Sequence, residues 1–202
     1  MQTDTARAHA MEETSRRILD VALEVLGRNP DAGMADIAAA ARVVRRTVYG
    51  YFPTRSVLVQ TLAHQAVDEI ASALDSIKVP GRAPEAIWVG FIEYLWPVAH
   101  RYRVLLALRR GEYGEEIHAV LGPVDRALAE LVQEGQDTGG FGRHLPATVL
   151  SQVAFAAVFA LADSSLAGSS ISSQAAAITS LLMLGVPDAR AKMLTEASYG
   201  ES

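Results

Sequence analysis

The stretch that decides the fold is residues 34–58, which read Met-Ala-Asp-Ile-Ala-Ala-Ala-Ala-Arg-Val-Val-Arg-Arg-Thr-Val-Tyr-Gly-Tyr-Phe-Pro-Thr-Arg-Ser-Val-Leu. The pattern predicts two short helices, at residues 34–41 and 45–52, joined by a tight turn. Pro53 ends the second helix, and Thr54 caps a long helix that continues to about residue 76. Two short helices around such a turn form a helix-turn-helix, whose second helix can lie in the major groove of DNA.

The side chains of this second helix suit contact with DNA. Arg45 and Arg46 open it, and arginine is the residue that most often contacts O6 and N7 of guanine. Three hydroxyl side chains follow within the next five residues, and they can meet phosphates or a thymine methyl group. Arg55 comes directly after the cap of the next helix, where the free backbone N–H groups and the helix dipole favour a phosphate.

The charge of the whole chain does not suggest nucleic acid, but its distribution does. The 202 residues carry a formal net charge of −5 and have a pI near 5.5, whereas DNA-binding domains are usually basic. Residues 37–60 contain four arginines and no acidic residue, while residues 61–202 carry −6. The local charge of +4 is either a footprint for a polyanion or a solvated helix face.

Composition and periodicity indicate an all-α globular protein. Half of the residues are hydrophobic, which is ample for a buried core, and the absence of cysteine excludes disulfides and Cys-ligated metals. The helical period recurs along the chain, and strand alternation is almost absent. The sequence has no nucleophile elbow, P-loop, Rossmann glycine motif or His-Glu-x-x-His, so we expect no enzymatic activity, cofactor or metal.

Two segments bear on localisation. The polar N-terminus carries no secretory signal, which predicts a cytoplasmic protein. Residues 145–187 contain one formal charge, Asp163, and are long enough to raise the possibility of a membrane span. Polar residues interrupt that stretch, and a helix pair buried against another subunit explains its composition better.

Residues 47–58, Thr-Val-Tyr-Gly-Tyr-Phe-Pro-Thr-Arg-Ser-Val-Leu, resemble the recognition helix and following cap of the tetracycline-repressor-like (TetR) family of transcriptional regulators. Residues 18–26 and 36–38 also match that family's pattern, with the right spacing between the pieces. The resemblance covers about residues 14–60. Beyond residue 60, only the all-helical layout and the length agree.

The resemblance implies an N-terminal three-helix helix-turn-helix domain at residues 1–60 and a C-terminal helical bundle for ligand sensing and dimerisation at residues 61–202. The helix that starts near residue 54 links the two. It implies a homodimer that binds a palindromic operator in double-stranded DNA. The predicted DNA-contacting residues are Arg45, Arg46, Thr47, Tyr49, Gly50, Tyr51 and Arg55. Phe52 is expected to pack the core instead, and Tyr49 has both interpretations open.

The chain departs from the family pattern around the turn. Arg42 stands where glycine is usual, so the turn either holds a strained residue or differs slightly from the family's. Val44 replaces a small hydroxyl residue that would cap the recognition helix, and Gly33 replaces the Ser or Thr cap of the helix before it. Arg46 stands where a small residue is common, which implies an added DNA contact or an atypical operator.

The second domain offers a candidate effector pocket and a candidate dimer interface. Aromatic and apolar residues cluster there, and they can line a small-molecule pocket or form an ordinary bundle core. The predicted pocket residues are Trp88, Phe91, Tyr94, Leu95, Tyr102, Leu105, Tyr113, Phe155 and Phe159. His100 and His118 either offer hydrogen bonds to a ligand or lie at the surface. The nearly uncharged helices at about 147–166 and 174–184 are predicted to pair between two subunits.

The sequence therefore predicts a DNA-binding repressor that a small, apolar or aromatic molecule releases from its operator. The mechanism implied is a population shift, in which the effector favours a spacing of the two DNA-reading heads that no longer fits the operator. Activation in place of repression stays open. The alternatives from other classes are a helical enzyme and a membrane-associated scaffold protein.

Overall fold

The computed structural model describes residues 2–77, 81–109, 113–163 and 171–199, and every regular element in these ranges is an α-helix. This confirms the all-α class. The helices, in chain order, are α1 (Gln2–Arg28), α2 (Met34–Ala40), α3 (Arg45–Tyr51), α4 (Arg55–Ile77), α5 (Pro84–Arg101), α6 (Val104–Arg109), α7 (Gly114–Thr138), α8 (Ala147–Ala162), α9 (Ser173–Met183) and α10 (Asp188–Tyr199).

The chain divides into two compact units. The N-terminal unit contains residues 1–65 and 104–118, and the second unit contains residues 66–103 and 119–202. Residues 104–118 therefore join the helix-turn-helix segment, although the sequence assigned everything after residue 60 to one domain. In the N-terminal unit, α6 packs on α1. The helices α4 and α7 each continue from one unit into the other.

The core of the N-terminal unit comes from the apolar faces of its helices. Ile18, Ala22 and Leu26 of α1 are fully buried, as are Ile37 of α2 and Val48 of α3. Burial of each of the larger side chains contributes roughly 1.5–3 kcal/mol. The packing of α1 on α2 and of α2 on α3 fixes the direction of α3.

The structure differs from the sequence prediction where prolines and the N-terminus are concerned. The sequence predicts that Pro97 kinks or restarts its helix, but α5 continues through it. It also predicts two helices, at 112–118 and 124–138, whereas α7 is one helix that continues through Pro123. An interior proline costs about 3 kcal/mol, which the buried faces of these long helices offset. Helix α1 begins at Gln2 instead of near residue 14, because residues 2–13 include no glycine or proline to end it.

The helices predicted at 147–166 and 174–184 correspond to α8 and α9, although residues 164–166 lie outside the described part of the chain. In the second unit, α5, α8, α9 and α10 pack on one another. Within the described ranges, no helix combines the length and the apolar character that a membrane span requires.

Candidate nucleic-acid interface

The turn between α2 and α3 is a Schellman motif with an arginine at its left-handed position. Arg42 has φ 55°, and in the described part of the chain it is the one non-glycine residue with positive φ. The N–H of Val43 donates to the carbonyl of Ala38 at 3.1 Å, and the N–H of Arg42 donates to that of Ala39 at 3.2 Å. The chain therefore keeps the turn that glycine usually makes and carries the strain at Arg42.

Helix α3 presents one face to solvent and buries the other. Arg45, Arg46, Tyr49 and Gly50 are exposed, and we call these four residues the recognition face. Val48 on the opposite side of α3 and Phe52 just beyond its end are buried, which confirms the expectation that Phe52 packs the core. Tyr49 is 49% exposed, so its hydroxyl is available for a partner outside the protein. Thr47 and Tyr51 lie at the borders of the face and are half-buried.

The starts of the helices around the turn differ in how they are capped. Gly33 has no capping side chain, but its N–H donates to Oδ2 of Asp36 at 2.8 Å, which supplies one half of a capping box. Val44 caps α3 without any side-chain hydrogen bond. Thr54 Oγ1 accepts from the N–H of Val57 at 3.1 Å, so the predicted cap of α4 is present.

The guanidinium of Arg55 makes contacts within the N-terminal unit. Nε donates to the carbonyl of Ala32 at 3.2 Å, Nη1 donates to the hydroxyl of Tyr113 at 2.9 Å, and Nη2 donates to the carbonyl of Pro30. The guanidinium carbon also lies 5.2 Å from the centre of the Tyr113 ring, which is a cation–π arrangement. Arg55 thus ties the α1–α2 loop and α4 to Tyr113, whereas the sequence predicted that it contacts a phosphate.

A second contact supports the same junction. The hydroxyl of Ser56 lies 3.3 Å and 3.4 Å from the two carboxylate oxygens of Glu116, on the first turn of α7. The sequence contained no local signal for either contact, because the partners are 58 and 60 residues apart. We call the contacts of Arg55 and Ser56 with Tyr113 and Glu116 the α4–α7 junction.

The residues predicted to line an effector pocket are divided between the two units. Trp88, Phe91, Phe155 and Phe159 lie in the second unit and form an aromatic cluster together with Phe141, which the sequence did not single out. The ring centres of Phe155 and Phe159 are 5.1 Å apart, those of Trp88 and Phe91 are 6.0 Å apart, and those of Phe91 and Phe155 are 6.3 Å apart. These rings are buried, and Trp88 Nε1 donates to Ser180 Oγ at 3.0 Å.

The other predicted pocket residues have different surroundings. Leu95 is buried on α5, Tyr102 donates its hydroxyl proton to Glu69 at 2.7 Å, and Tyr94 is exposed beside an open groove of about 490 Å³. Leu105 and Tyr113 belong to the N-terminal unit and are buried there. The aromatic cluster is therefore the part of the prediction that the structure brings together.

His100 and His118, the two histidines considered as ligand contacts, lie in different surroundings. The ring of His100 meets that of Trp96 edge-on at 4.6 Å, and burial, followed by the nearby Arg103 charge, lowers the pKa of His100. His118 is exposed. Among the residues that the structure describes, no three His, Asp or Glu side chains come close enough together to hold a metal ion.

Helices α8 and α9 each carry an apolar strip that the second unit leaves uncovered. On α8 the strip contains Val149, Val153 and Ala156, which share a helical face and are exposed. On α9 it contains Ala175 and Leu182, seven residues apart. Val153 and Leu182 are each 44% exposed, and a strip of exposed apolar side chains can mark an interaction surface.

A helix-turn-helix that presents two arginines and a tyrosine on its second helix is typical of a DNA-binding domain. Residues 18–62 match the family model for bacterial regulatory proteins of the tetR family. Residues 18–62 are thus similar to bacterial regulatory proteins of the tetR family, which confirms the resemblance found in the sequence.

Similar proteins support this assignment. Over 75 residues the chain is 41% identical to the HTH-type transcriptional repressor LfrR of Mycolicibacterium smegmatis (strain ATCC 700084 / mc(2)155), and the match covers 37% of this chain and 40% of LfrR. The crystal structure of LfrR from Mycobacterium smegmatis in complex with proflavine matches 87% of this chain and 96% of its own, with TM-score 0.66 and 24% identity. The crystal structure of RolR in complex with resorcinol matches 93% of this chain and 95% of its own, with TM-score 0.60 and 24% identity. These two structures share the fold of the chain.

Proposed function

We propose that the protein is a ligand-responsive transcriptional repressor that binds a palindromic operator as a homodimer. The observation that carries the proposal is the recognition face, since its two arginines and its tyrosine project from a helix whose direction the Schellman turn fixes. The face lies in a segment without acidic residues, so the phosphates of DNA meet no local repulsion there.

The residues of the interface have distinct roles in this proposal. Arg45 and Arg46 contact base edges, with guanine as the preferred partner, and Tyr49 and Gly50 face the same groove. Thr47 and Tyr51, at the borders of the face, contact phosphates and set the position of α3. We assign Arg55 to the α4–α7 junction, because each of its three nitrogens already donates to a protein acceptor.

The apolar strips on α8 and α9 are proposed to form the dimer interface. A twofold axis would place each strip against its copy and would cover Val153 and Leu182 on both subunits. The same axis would relate two recognition helices, which explains why the operator should be a palindrome. Pairing of these helices would bury no charged side chain of α8 or α9, since neither helix contains Asp, Glu, Lys or Arg.

The effector is proposed to be a small, apolar or aromatic molecule that binds at the aromatic cluster. The rings of Trp88, Phe91, Phe155 and Phe159 offer stacking surfaces, and the indole–hydroxyl pair of Trp88 and Ser180 offers a polar handle. The structural relatives crystallised with proflavine and resorcinol, both aromatic, are consistent with this chemistry.

Helix α7 provides a route between effector and DNA. Its first turn carries Glu116 in the N-terminal unit, and its later turns belong to the second unit. An effector that favours a different position of α7 therefore acts on Tyr113 and Glu116, and through them on Arg55 and the α1–α2 loop. This is a population shift between a state that fits the operator and one that does not.

The proposal is tested by selecting binding sites from a pool of randomised DNA duplexes with the purified protein. We expect enrichment of one palindrome, and we expect Arg45→Ala and Tyr49→Phe to weaken binding to it, Arg45→Ala by 1–3 kcal/mol as is usual for a lost base contact. Arg126→Ala, which removes an exposed arginine in the second unit, is the matched control and should bind normally. Equal affinity for all sequences would refute the proposal.

A further inference from the structure

Val44 is a side chain whose exposure the fold does not explain. It is 66% exposed, and it is the residue immediately before Arg45. Its backbone is extended (φ −74°, ψ 148°), as is usual for the residue that precedes a helix. Because most of its surface is exposed, this aliphatic side chain gains little from burial within the protein.

The same position would be more stable with a different residue. Val44 makes no side-chain hydrogen bond to α3, whereas Ser, Thr, Asn or Asp there would accept one from a backbone N–H. Valine therefore gives up a cap that is typically worth about 1 kcal/mol. Because its side chain is largely exposed and makes no hydrogen bond to α3, Val44 is available to a partner outside the chain.

The neighbours of Val44 identify that partner. Arg45 and Arg46 are exposed and begin the recognition face, so Val44 extends that face by one apolar group. In the major groove, the one apolar group that a base pair presents is the C5 methyl group of thymine. A valine cannot bond to a phosphate, which excludes the role that a hydroxyl residue would have at this position.

We propose that Val44 contacts the C5 methyl group of a thymine that lies next to the base contacted by Arg45, and so specifies thymine at one position of each half-site. The inference rests on the proposed function, since it requires that α3 enters the major groove. The contact would add recognition of a thymine methyl group to the polar contacts proposed for Arg45 and Arg46.

The test uses the duplex selected from the randomised pool and replaces each thymine in turn by deoxyuridine. This change removes the methyl group alone and keeps base pairing. We expect one thymine in each half-site whose replacement weakens binding about 4-fold, as burial of a single methyl-sized group implies, and about 15-fold when both half-sites are changed. Val44→Ser should bind the thymine and deoxyuridine duplexes equally.

Val57→Ser is the matched control, because Val57 is also exposed but lies on the first turn of α4. It should keep the sensitivity to deoxyuridine. Val44→Ser adds a cap, so its melting temperature should not fall, and lost sensitivity would not reflect unfolding. If Val44→Ser responds to deoxyuridine as the wild type does, or if no thymine responds, the inference is wrong while the proposed function stands. If no duplex is enriched, both are wrong.

Discussion

Arg42 shows how a single residue can keep a turn that its chemistry disfavours. In the left-handed region a side chain with a β-carbon approaches its own carbonyl group, which costs roughly 1–2 kcal/mol relative to glycine. The chain accepts this cost between α2 and α3, where the turn fixes the recognition face. Because Arg42 is exposed, its guanidinium also adds to the positive charge beside that face.

Arg42→Gly should therefore raise the free energy of unfolding by about 0.5–1 kcal/mol, since relief of strain outweighs the greater flexibility of glycine in the unfolded chain. Chemical denaturation measures the change, and the melting temperature should rise by roughly 1–4 °C. Arg46→Gly removes the same side chain from the first turn of α3, where the backbone is helical, and should destabilise the protein by up to about 1 kcal/mol. Equal effects of the two substitutions would show that Arg42 is unstrained.

At the scale of elements, local sequence patterns predict the positions of helices but not the contacts between distant segments. The pattern of residues 34–58 is sufficient to predict two short helices around a tight turn, and Thr54 marks the start of α4. The contact of Arg55 with Tyr113 was not predictable, because it depends on packing between segments 58 residues apart. Tyr113 was grouped with the effector pocket for the same reason. Pro97 and Pro123 wrongly predicted interruptions of their helices, since burial along α5 and α7 outweighs the energetic cost of a proline inside a helix.

The α4–α7 junction should contribute to stability and not to the salt dependence of DNA binding. Tyr113→Phe removes one charge-assisted hydrogen bond and should destabilise the protein by about 1.5 kcal/mol, and Arg55→Ala should destabilise it by more, because it also leaves the carbonyls of Pro30 and Ala32 without this donor. Thermal or urea unfolding measures both changes.

The dependence of DNA affinity on salt separates this role from a phosphate contact. A lost phosphate contact lowers the slope of log K against log salt by about 0.9, whereas the junction predicts an unchanged slope for Arg55→Ala. A lower slope at unchanged stability would restore the phosphate contact that the sequence predicted for Arg55.

For the whole molecule, the uneven distribution of charge and the two apolar strips are both consistent with the proposed dimer. In the proposed function, the net charge of −6 over residues 61–202 would repel DNA, and the four arginines of residues 37–60 would attract it. Pairing through α8 and α9 would double that attraction and would limit it to two recognition helices. In the proposed function, specific binding would therefore depend on the dimer as much as on α3.

Val153→Glu should disrupt the dimer, because it places a charge in the middle of the apolar strip on α8. Sedimentation should show a monomer at micromolar concentration and calorimetry a folded protein, and affinity for the palindrome should fall at least 100-fold. Met193→Glu introduces the same charge at an exposed site on α10 and should leave the dimer intact. A dimer that survives Val153→Glu would place the interface elsewhere.

The buried indole of Trp88 gives the protein an intrinsic optical signal. The chain has two tryptophans, both on α5, and they differ in environment: Trp88 is fully buried and bonded to Ser180, whereas Trp96 is half-buried against His100. Emission from Trp88 should lie at shorter wavelength than emission from Trp96. A molecule that enters the aromatic cluster would change the first component and leave the second, so unlabelled protein can screen a chemical library by fluorescence alone.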